Sequence, residues 1–374
     1  MQTDQAGSVS ASLQTLIEKA IADNAGWLPF DRFMAMALYA PGLGYYASGS
    51  RQFGLMPDSG SDFVTAPELS PLFGRTLARQ LAQALLACGS DEIIEFGAGS
   101  GALAAQLIAE LDSLGCPVRR YSIVDLSGSL RVVQQRRLAG WADRVRWLDE
   151  LPSSIDGVIV GNEVLDAMPV QLLHFDGEQW WQRGVGFDAG LQRFGWSDRP
   201  TELRPPIEQT WMPGSTIEIH SQAEAFIGTL VDRMNRAAAF FIDYGFPQSE
   251  YYHPQRHQGT LVCHRGHRVD DDPLDSVGAK DITAHVNFSA MALAAQNAGA
   301  EVFGYASQAR FLLNCGLLPL LGAADLQQRT HAQRLVNEHE MGELFKVLAF
   351  AKGCGPQLAI DAIGFVQGDR SHTL

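Results

Sequence analysis

A glycine-rich segment at residues 93–103 constrains the fold of this chain more than any other part of its sequence. The apolar residues Ile93 and Ile94 lead through Glu95 into closely spaced glycines, and a helical pattern follows. This order is typical of a buried strand, a tight turn and a helix that opens over a bound cofactor. It predicts an α/β fold with a ligand at the carboxyl end of the strand.

The glycines alone are compatible with two cofactors. They form the Glu-x-Gly-x-Gly-x-Gly turn of S-adenosylmethionine (SAM) methyltransferases, at Gly97, Gly99 and Gly101. The first two, taken with Ala102, also match the dinucleotide fingerprint. Glu95 favours SAM, because a carboxylate repels a pyrophosphate and attracts an ammonium or sulfonium group. Asp125, the first acid that could bind a ribose, lies beyond the roughly 20-residue spacing of the dinucleotide motif, so NAD is the less favoured alternative.

Composition limits the classes of protein to which the chain can belong. Its 374 residues are 46% hydrophobic, and no apolar stretch reaches the roughly 18 residues of a membrane span, which predicts a globular protein with a large core. The net charge of −14 disfavours nucleic acid partners and suits a basic substrate. Five dispersed cysteines without a Cys-x-x-Cys pair predict reduced thiols. No targeting segment is recognisable at the start, so a cytoplasmic protein without a membrane partner is expected.

The pattern of elements predicts two parts. Residues 12–22, 30–39 and 70–89 carry helical spacing, which predicts an N-terminal helical segment over residues 1–89. Residues 90–374 alternate strands and helices, which predicts a doubly wound, Rossmann-like sheet. Aromatic runs separated by hairpin-turn residues predict an antiparallel β meander inserted at about 170–213. Residues at about 246–290 have weak periodicity and are predicted to form a long loop insertion.

Residues that follow each predicted strand are the candidates for chemistry, because ligands of a doubly wound sheet bind there. Asp125 ends the second strand and is predicted to accept hydrogen bonds from both ribose hydroxyls, with a helix-capping role as the alternative. Asp149 follows the third strand and is predicted to contact the adenine amino group, and a capping role is equally open.

Polar residues at the end of the fourth strand are expected to face the transferable methyl group. Asn162, Glu163 and Asp166 follow the apolar residues 158–160. We expect them to orient a nitrogen nucleophile, since methyl transfer depends on positioning and charge more than on proton transfer. The alternative is a set of solvated acids at a helix start. No metal is expected, because the residues of the long loop match no regular zinc spacing, namely His253, His257, Cys263, His264 and His267.

An ordered series of segments resembles one known family. These segments are residues 33–39, 44–46, 62–70, the glycine turn, 162–170, 242–245, 281–286 and 342–346. Over residues 30–352 the chain resembles the MidA-like SAM-dependent methyltransferases, which include a mitochondrial arginine methyltransferase that assists the assembly of respiratory complex I. Relative to that branch, Ala98 replaces a proline, Ser100 an arginine and Asp125 a glutamate. These departures leave the cofactor prediction intact and the methyl acceptor open.

The resemblance implies a class I methyltransferase core with an N-terminal helical lid over the cofactor. The residues expected to bind the cofactor are Glu95, Gly97, Ala98, Gly99, Gly101, Asp125 and Asp149, to which the resemblance adds Thr65 and Pro67. The residues that it implies for substrate binding are Tyr45, Tyr46, Asp62, Phe63, Glu68, Asp243 and Tyr244.

The leading functional hypothesis is SAM-dependent N-methylation of an arginine side chain in a partner protein, releasing S-adenosyl-homocysteine. Carboxylates such as Glu163 and Asp166 could bind a guanidinium in paired fashion. By family analogy the substrate could be a subunit of a respiratory complex, and a homodimer is also considered. The alternatives are an assembly factor that holds a partner through the Trp-rich meander, an NAD-linked oxidoreductase, and methylation of a small molecule.

Overall fold

The computed structural model describes residues 2–48, 64–265, 268–355 and 357–374. The strands are β1 (Leu28–Pro29), β2 (Glu92–Phe96), β3 (Arg120–Val124), β4 (Val145–Leu148), β5 (Ile155–Asn162), β6 (Gln171–Phe175), β7 (Trp180–Asp188), β8 (Arg193–Pro200), β9 (Thr216–Ile219), β10 (Met234–Phe246), β11 (Val262–Arg265), β12 (Arg268–Asp270), β13 (Asp281–Thr283), β14 (Val286–Asn287), β15 (Glu301–Ser307) and β16 (Phe345–Lys352). The α-helices are α1 (Gln2–Asp23), α2 (Phe30–Tyr39), α3 (Ala66–Leu69), α4 (Pro71–Cys88), α5 (Ala102–Ser113), α6 (Gly128–Arg137), α7 (Ser221–Arg233), α8 (Gln248–Tyr251), α9 (Phe288–Asn297), α10 (Gln308–Asn314), α11 (Leu317–Ala323), α12 (Leu326–Val336) and α13 (Gln357–Asp361).

The central sheet has eight strands and confirms the predicted doubly wound fold. Seven of them follow the order β15-β16-β10-β5-β2-β3-β4, and β14 pairs with the end of β10. The neighbouring strands β10, β5, β2, β3 and β4 are parallel to one another, whereas β16 pairs antiparallel with both β10 and β15. The strand order reverses between β2 and β5, and the crevice at such a switch point is where ligands bind.

Helices cover both faces of this sheet. Helix α4 begins as predicted, with the Ser70 hydroxyl accepting a hydrogen bond from the Leu72 amide and Pro71 at the first helical position. It ends at Cys88 and is capped by Gly89, which takes the left-handed conformation that favours glycine. One apolar layer joins α4 and α5 to the sheet, and a second joins α7 and α9 to the opposite face.

The predicted antiparallel meander is present as a second sheet. Its order is β1-β7-β6-β9, with β8 paired to β7. Strand β9 therefore belongs to this sheet although it lies beyond residue 213, and β1 joins it from the N-terminal segment. Trp180 packs edge-on against Trp211 and Trp196 lies against Phe30, so the tryptophans contribute to packing within the chain.

The segment predicted as a long loop contains regular structure. It forms the short helix α8 and a three-stranded antiparallel sheet in the order β12-β11-β13. Strands of three or four residues are too short to produce a recognisable alternation of apolar and polar residues, which is why the sequence did not reveal them. Within the described ranges, no helix combines the length and apolar character needed to cross a membrane.

Candidate functional site

A cavity of about 810 Å³ opens at the carboxyl ends of the parallel strands. The ends of β2, β3, β5 and β10 form one side of it. Residues of α2, α3 and β13 and the segment before β16 contribute to its other walls. The cavity therefore joins the switch point of the sheet to elements from both ends of the chain.

The glycine turn has the backbone conformation that its sequence predicts. Gly97, Gly99 and Gly101 have φ angles of 62°, 53° and 83°, a region that residues with a side chain rarely adopt. A Cβ atom at Gly97 would lie 3.0 Å from Cγ2 of Val164, so a side chain there would be crowded as well as strained. Gly97, Ala98 and Gly99 line the cavity, and the turn therefore presents bare backbone to a ligand.

Glu95 is buried at the end of β2 and lines the cavity. The Tyr121 hydroxyl donates a 2.7 Å hydrogen bond to its carboxyl group. Burial raises the pKa of Glu95 to about 8, and the nearby charge of Asp125 adds to the increase. A cationic ligand group next to Glu95 would offset this cost and favour the ionised carboxylate.

Asp125 is fixed by contacts that tie it to the glycine turn. Its two carboxyl oxygens accept hydrogen bonds from the Ser127 amide at 2.9 Å and from the Gln134 side chain at 2.8 Å. The Gln134 amide also donates to the carbonyl of Gly99, and its own oxygen accepts from Trp147. Gln134 is fully buried on α6, so it holds the acid and the turn in a fixed relation. Sequence reasoning did not identify this residue.

The end of β5 presents an amide and a carboxyl group to the cavity. Glu163 adopts a φ of 55°, unusual for a residue other than glycine, and its amide donates to the carbonyl of Ile242. The Asn162 amide donates a 2.9 Å hydrogen bond to the Glu163 carboxyl group. Within the described residues, the buried Oδ1 of Asn162 has no hydrogen-bond partner, so an acceptor atom is available to a ligand.

Asp243 lies behind this group and positions it. Its Oδ2 accepts hydrogen bonds from the amides of Val164, Leu165 and Asp166, at 2.9–3.3 Å. Its side chain is not among those that line the cavity. The carboxyl group therefore acts as an anchor for the backbone that carries Glu163 and Asp166, rather than as a substrate contact as the sequence had suggested.

The carboxyl groups around the end of β5 all have raised pKa values. Burial raises the pKa of Glu163 to about 8, and the charge of Asp166 adds to the effect. Burial also raises the pKa of Asp166 to about 6, despite the hydrogen bond that it accepts from the Tyr244 hydroxyl. The pKa of Asp243 is raised well above its ordinary value by burial and by the charges of Asp166 and Glu163. This part of the cavity is therefore suited to a cation.

The N-terminal segment contributes two stacked tyrosines to the cavity. The rings of Tyr39 and Tyr46 lie 5.6 Å apart with an interplanar angle of 16°. The Tyr39 hydroxyl donates to the carbonyl of Ala167 and the Tyr46 hydroxyl donates to Asp281, both at 2.8 Å. Asp281 begins β13. Tyr39 and Asp281 lie in two of the segments that carry the family resemblance, but sequence reasoning gave neither residue an individual role.

Helix α3 and the residue before it reach the glycine turn from the opposite side. Thr65, Pro67 and Glu68 line the cavity. Glu68 accepts hydrogen bonds from Ser100 in the turn and from Arg137 on α6, and the Arg137 contact is an ion pair of 2.7 Å. The Glu68 carboxylate, predicted to bind substrate, therefore already has a cationic partner within the chain.

Several predicted site residues lie elsewhere. The Asp149 side chain is 84% exposed, pairs with Arg131 and does not line the cavity. Gly101 and Tyr45 also stay outside the lining; Gly101 caps α5, and Tyr45 is buried against Tyr46. Asp62 and Phe63 fall outside the described residues.

The cavity also contains residues from the last third of the chain that lacked a predicted role. His285 packs edge-on against Tyr244 and stacks on Phe246, and burial lowers the pKa of His285 to about 4, which favours its neutral form. Phe345 also packs edge-on against Tyr244. In the part of the chain that the structure describes, no three His, Cys, Asp or Glu side chains are grouped as metal ligands.

Comparisons with known proteins identify the class to which this site belongs. Residues 76–306 match the family of S-adenosyl-L-methionine-dependent methyltransferases. A crystal structure of a Burkholderia thailandensis protein bound to S-adenosyl-homocysteine is 49% identical, with a TM-score of 0.93, and the similarity covers 99% of this chain and 98% of that one.

The curated relatives include two vertebrate proteins named as mitochondrial protein arginine methyltransferases, both called NDUFAF7. The Danio rerio protein is 26% identical over 89% of this chain and 85% of the relative, and the Xenopus tropicalis protein is 26% identical over 91% and 85%. A Caenorhabditis elegans homologue is also mitochondrial. The prediction of a cytoplasmic location is contradicted by these relatives and was wrong.

The cavity residues fit SAM on structural grounds that are independent of these comparisons. The glycine turn with its positive φ angles, the buried Glu95, the fixed Asp125 and the unpartnered Asn162 oxygen all belong to residues that line the same cavity. The NAD alternative is not supported, because the matched family uses SAM. The chain is therefore a SAM-dependent methyltransferase and belongs to the MidA-like family.

Proposed function

We propose that the protein N-methylates an arginine side chain of a protein substrate. The observation that carries this proposal is the meeting of Glu163, Asp166 and Asp281 in one cavity. Among the described residues that line it, none is an arginine or a lysine, so positive charge opposite these three acids would come from a bound ligand, as a cationic acceptor provides. The names of the vertebrate relatives support the same acceptor class.

A guanidinium group suits this cavity better than a compact ammonium. It is planar, always charged at neutral pH, and carries donors in a fixed fork that pairs with carboxylates. The stacked rings of Tyr39 and Tyr46 and the ring of Tyr244 offer flat faces against which such a group packs. The carboxylates of the cavity would bind two edges of the guanidinium group, while the tyrosine rings limit the orientation of its plane.

The chemistry requires little from the protein beyond position and charge. When bound, SAM supplies an electrophilic methyl group, and the attacking nitrogen must point its lone pair at that carbon. Glu163, held by Asn162 and by a hydrogen bond from the Ala66 amide, would fix the nitrogen and accept the proton that it loses. Asp166, bound by the Tyr244 hydroxyl, would hold a second nitrogen.

We propose that the cofactor lies between the glycine turn and the acids that flank it. Glu95 would face the cationic end of SAM, Asp125 its ribose hydroxyls, and Gly97 to Gly99 would contact it through backbone. Thr65 and Pro67 would cover the cofactor from α3. Residues 1–89 would then act as a lid on the core at 90–374, and the contacts of Tyr39 with Ala167 and of Tyr46 with Asp281 support that role.

Substitution of Gly97 by alanine is expected to weaken SAM binding by about tenfold. The reason is that a left-handed conformation costs a residue with a side chain roughly 1–2 kcal/mol, and the added Cβ would crowd Val164. Isothermal titration calorimetry with SAM measures this directly. Gly115→Ala is a matched control, because Gly115 also has a positive φ, 70°, and a Cβ there meets nothing within 4 Å. Equal SAM affinity in wild type and Gly97→Ala would contradict the assignment.

The acceptor can be identified by labelling. We expect that protein incubated with methyl-labelled SAM and an extract of its own cells transfers the label to arginine residues of a protein, which mass spectrometry then locates. Label found only in small metabolites, or only on other side chains, would overturn the arginine proposal. Family analogy makes a subunit of a respiratory complex the first candidate substrate, whereas partner capture without transfer would support the assembly-factor alternative.

The remaining partner assignments are also proposals. The net charge of −14 supports a basic protein segment as the substrate and disfavours nucleic acid and anionic membranes as partners. A homodimer is the proposed oligomeric state, and light scattering coupled to size-exclusion chromatography measures it. A monomeric mass at micromolar concentration would reject the dimer without affecting the proposed reaction.

A further inference from the structure

Two cysteines that the proposed reaction does not use meet at the far end of the central sheet. Cys88 is the last residue of α4, and Cys354 follows β16. Lys352 at the end of β16 pairs with Ala237, near the amino end of β10, whereas the large cavity lies at the carboxyl ends of the parallel strands. The two residues are 266 positions apart in sequence, yet their sulfur atoms lie 2.8 Å from each other.

The environments of the two thiols differ in the way that a reactive pair requires. Cys88 is fully buried, whereas Cys354 is partly exposed and lines a second cavity of about 150 Å³ together with Glu301 and Lys352. The cavity volume is several times that of a water molecule, about 30 Å³. A small neutral oxidant could therefore reach Cys354 while Cys88 stays protected.

The charges around the pair favour a thiolate at Cys354. The hydrogen bond with Cys88 and the positive charge of Arg236 lower the pKa of Cys354, against the effect of its partial burial. The same hydrogen bond and burial raise the pKa of Cys88, which stays a thiol. Because the thiolate is the nucleophile that attacks a peroxide, Cys354 is the residue expected to react first.

We propose that Cys88 and Cys354 are an oxidation site, at which a small hydroperoxide converts the two thiols into an intramolecular disulfide. In the first step the Cys354 sulfur attacks a peroxide oxygen, the O–O bond breaks, and sulfenic acid and water (or an alcohol) form. In the second step the Cys88 sulfur displaces the hydroxyl of the sulfenic acid, which leaves as water with the Cys88 proton. The peroxide is reduced by two electrons, and the two thiols are oxidised by two.

The positions of the sulfur atoms make the second step easy. A disulfide bond is about 2.05 Å long, so the sulfurs need to approach by only about 0.8 Å from their present separation of 2.8 Å. A disulfide here would join the end of α4 to the segment after β16 and close a loop that contains most of the sequence. Closing so long a loop restricts the unfolded chain strongly and stabilises the folded protein.

The test is to treat the full-length protein with hydrogen peroxide, block remaining thiols with an alkylating agent, and map peptides without reduction. We expect a Cys88–Cys354 linked peptide, a loss of two hydrogen atoms from the intact protein, and reversal by dithiothreitol. The melting temperature should rise by roughly 5 °C on oxidation and return on reduction. Absence of the linked peptide in peroxide-treated wild type would overturn the proposal.

Three variants separate the roles of the two residues. Cys88→Ser should accumulate a sulfenic acid at Cys354, trapped by dimedone, whereas Cys354→Ser should leave Cys88 unmodified. Cys116→Ser is the matched control, because Cys116 is also partly exposed but lies in another part of the fold, and it should form the disulfide as wild type does. Oxidation of Cys88 in Cys354→Ser at the wild-type rate would contradict the assigned order of reaction. These readouts do not involve methyl transfer, so their failure would leave the proposed function untouched.

Discussion

Replacement of Glu163 by glutamine is expected to lower turnover by about 100- to 1000-fold while SAM affinity changes by less than about twofold. The side chains have the same shape, so Asn162 and the backbone around residue 163 keep their positions. What is lost is the negative charge that pairs with the acceptor and the site that takes up its proton. Because that loss is felt during methyl transfer, the effect appears in kcat and in kcat/KM rather than in cofactor binding.

A buried glutamate outside the cavity provides the control for this substitution. Glu110 on α5 is buried beside Arg75, and its side chain does not line the cavity. Glu110→Gln therefore tests the effect of removing a buried carboxylate on stability and should keep wild-type turnover. Full activity of Glu163→Gln with the acceptor and methyl-labelled SAM would remove Glu163 from the mechanism, whereas loss of SAM binding in that variant would indicate disruption of the fold.

The sequence was informative where function is concentrated in one continuous segment. The glycine turn combines a strand, three positive-φ glycines and an acid within a few residues, so its geometry could be predicted from residue types alone. The end of β5 was predicted for the same reason, because parallel strands bring their carboxyl ends to one edge of the sheet. In both segments, the residues that form the end of a strand also supply the candidate chemical groups.

The sequence was uninformative where the site depends on distant contacts. Asp281 reaches the cavity because β13 pairs with β11 in a small sheet whose strands are too short to recognise, and Tyr46 hydrogen bonds to it from 235 positions away. Gln134 resembles any polar helix residue until its contacts with Asp125 and Gly99 are seen. Asp149 had the right position at a strand end, yet its side chain turns to Arg131 and solvent.

Asp243 illustrates a different limit of sequence reasoning. The resemblance suggested that it binds substrate, and the structure instead places its carboxyl group against three backbone amides. A sequence motif does not distinguish a residue that fixes the backbone of a site from a residue that contacts the ligand. Only the direction of the side chain distinguishes them.

A second large effect is expected from pH. The kcat/KM for the acceptor should fall by about tenfold for each pH unit below the pKa of Glu163, which burial raises to about 8. Protonation of Glu163 at lower pH removes the negative charge that holds the cationic acceptor, so activity rises with pH. The decline should steepen near pH 6, where Asp166 also becomes protonated.

The pH profile can be assigned to Glu163 by comparing variants. Initial rates with the acceptor and methyl-labelled SAM, measured from about pH 6 to 9 at saturating SAM, give kcat/KM across the two pKa values. Glu110→Gln should retain the wild-type profile, since Glu110 lies outside the cavity. The residual activity of Glu163→Gln should lose the step near pH 8 and keep only the one near pH 6. A wild-type kcat/KM that stays constant between these limits would mean that the acceptor is bound without an ionised Glu163, and the charge-pairing mechanism would then be wrong.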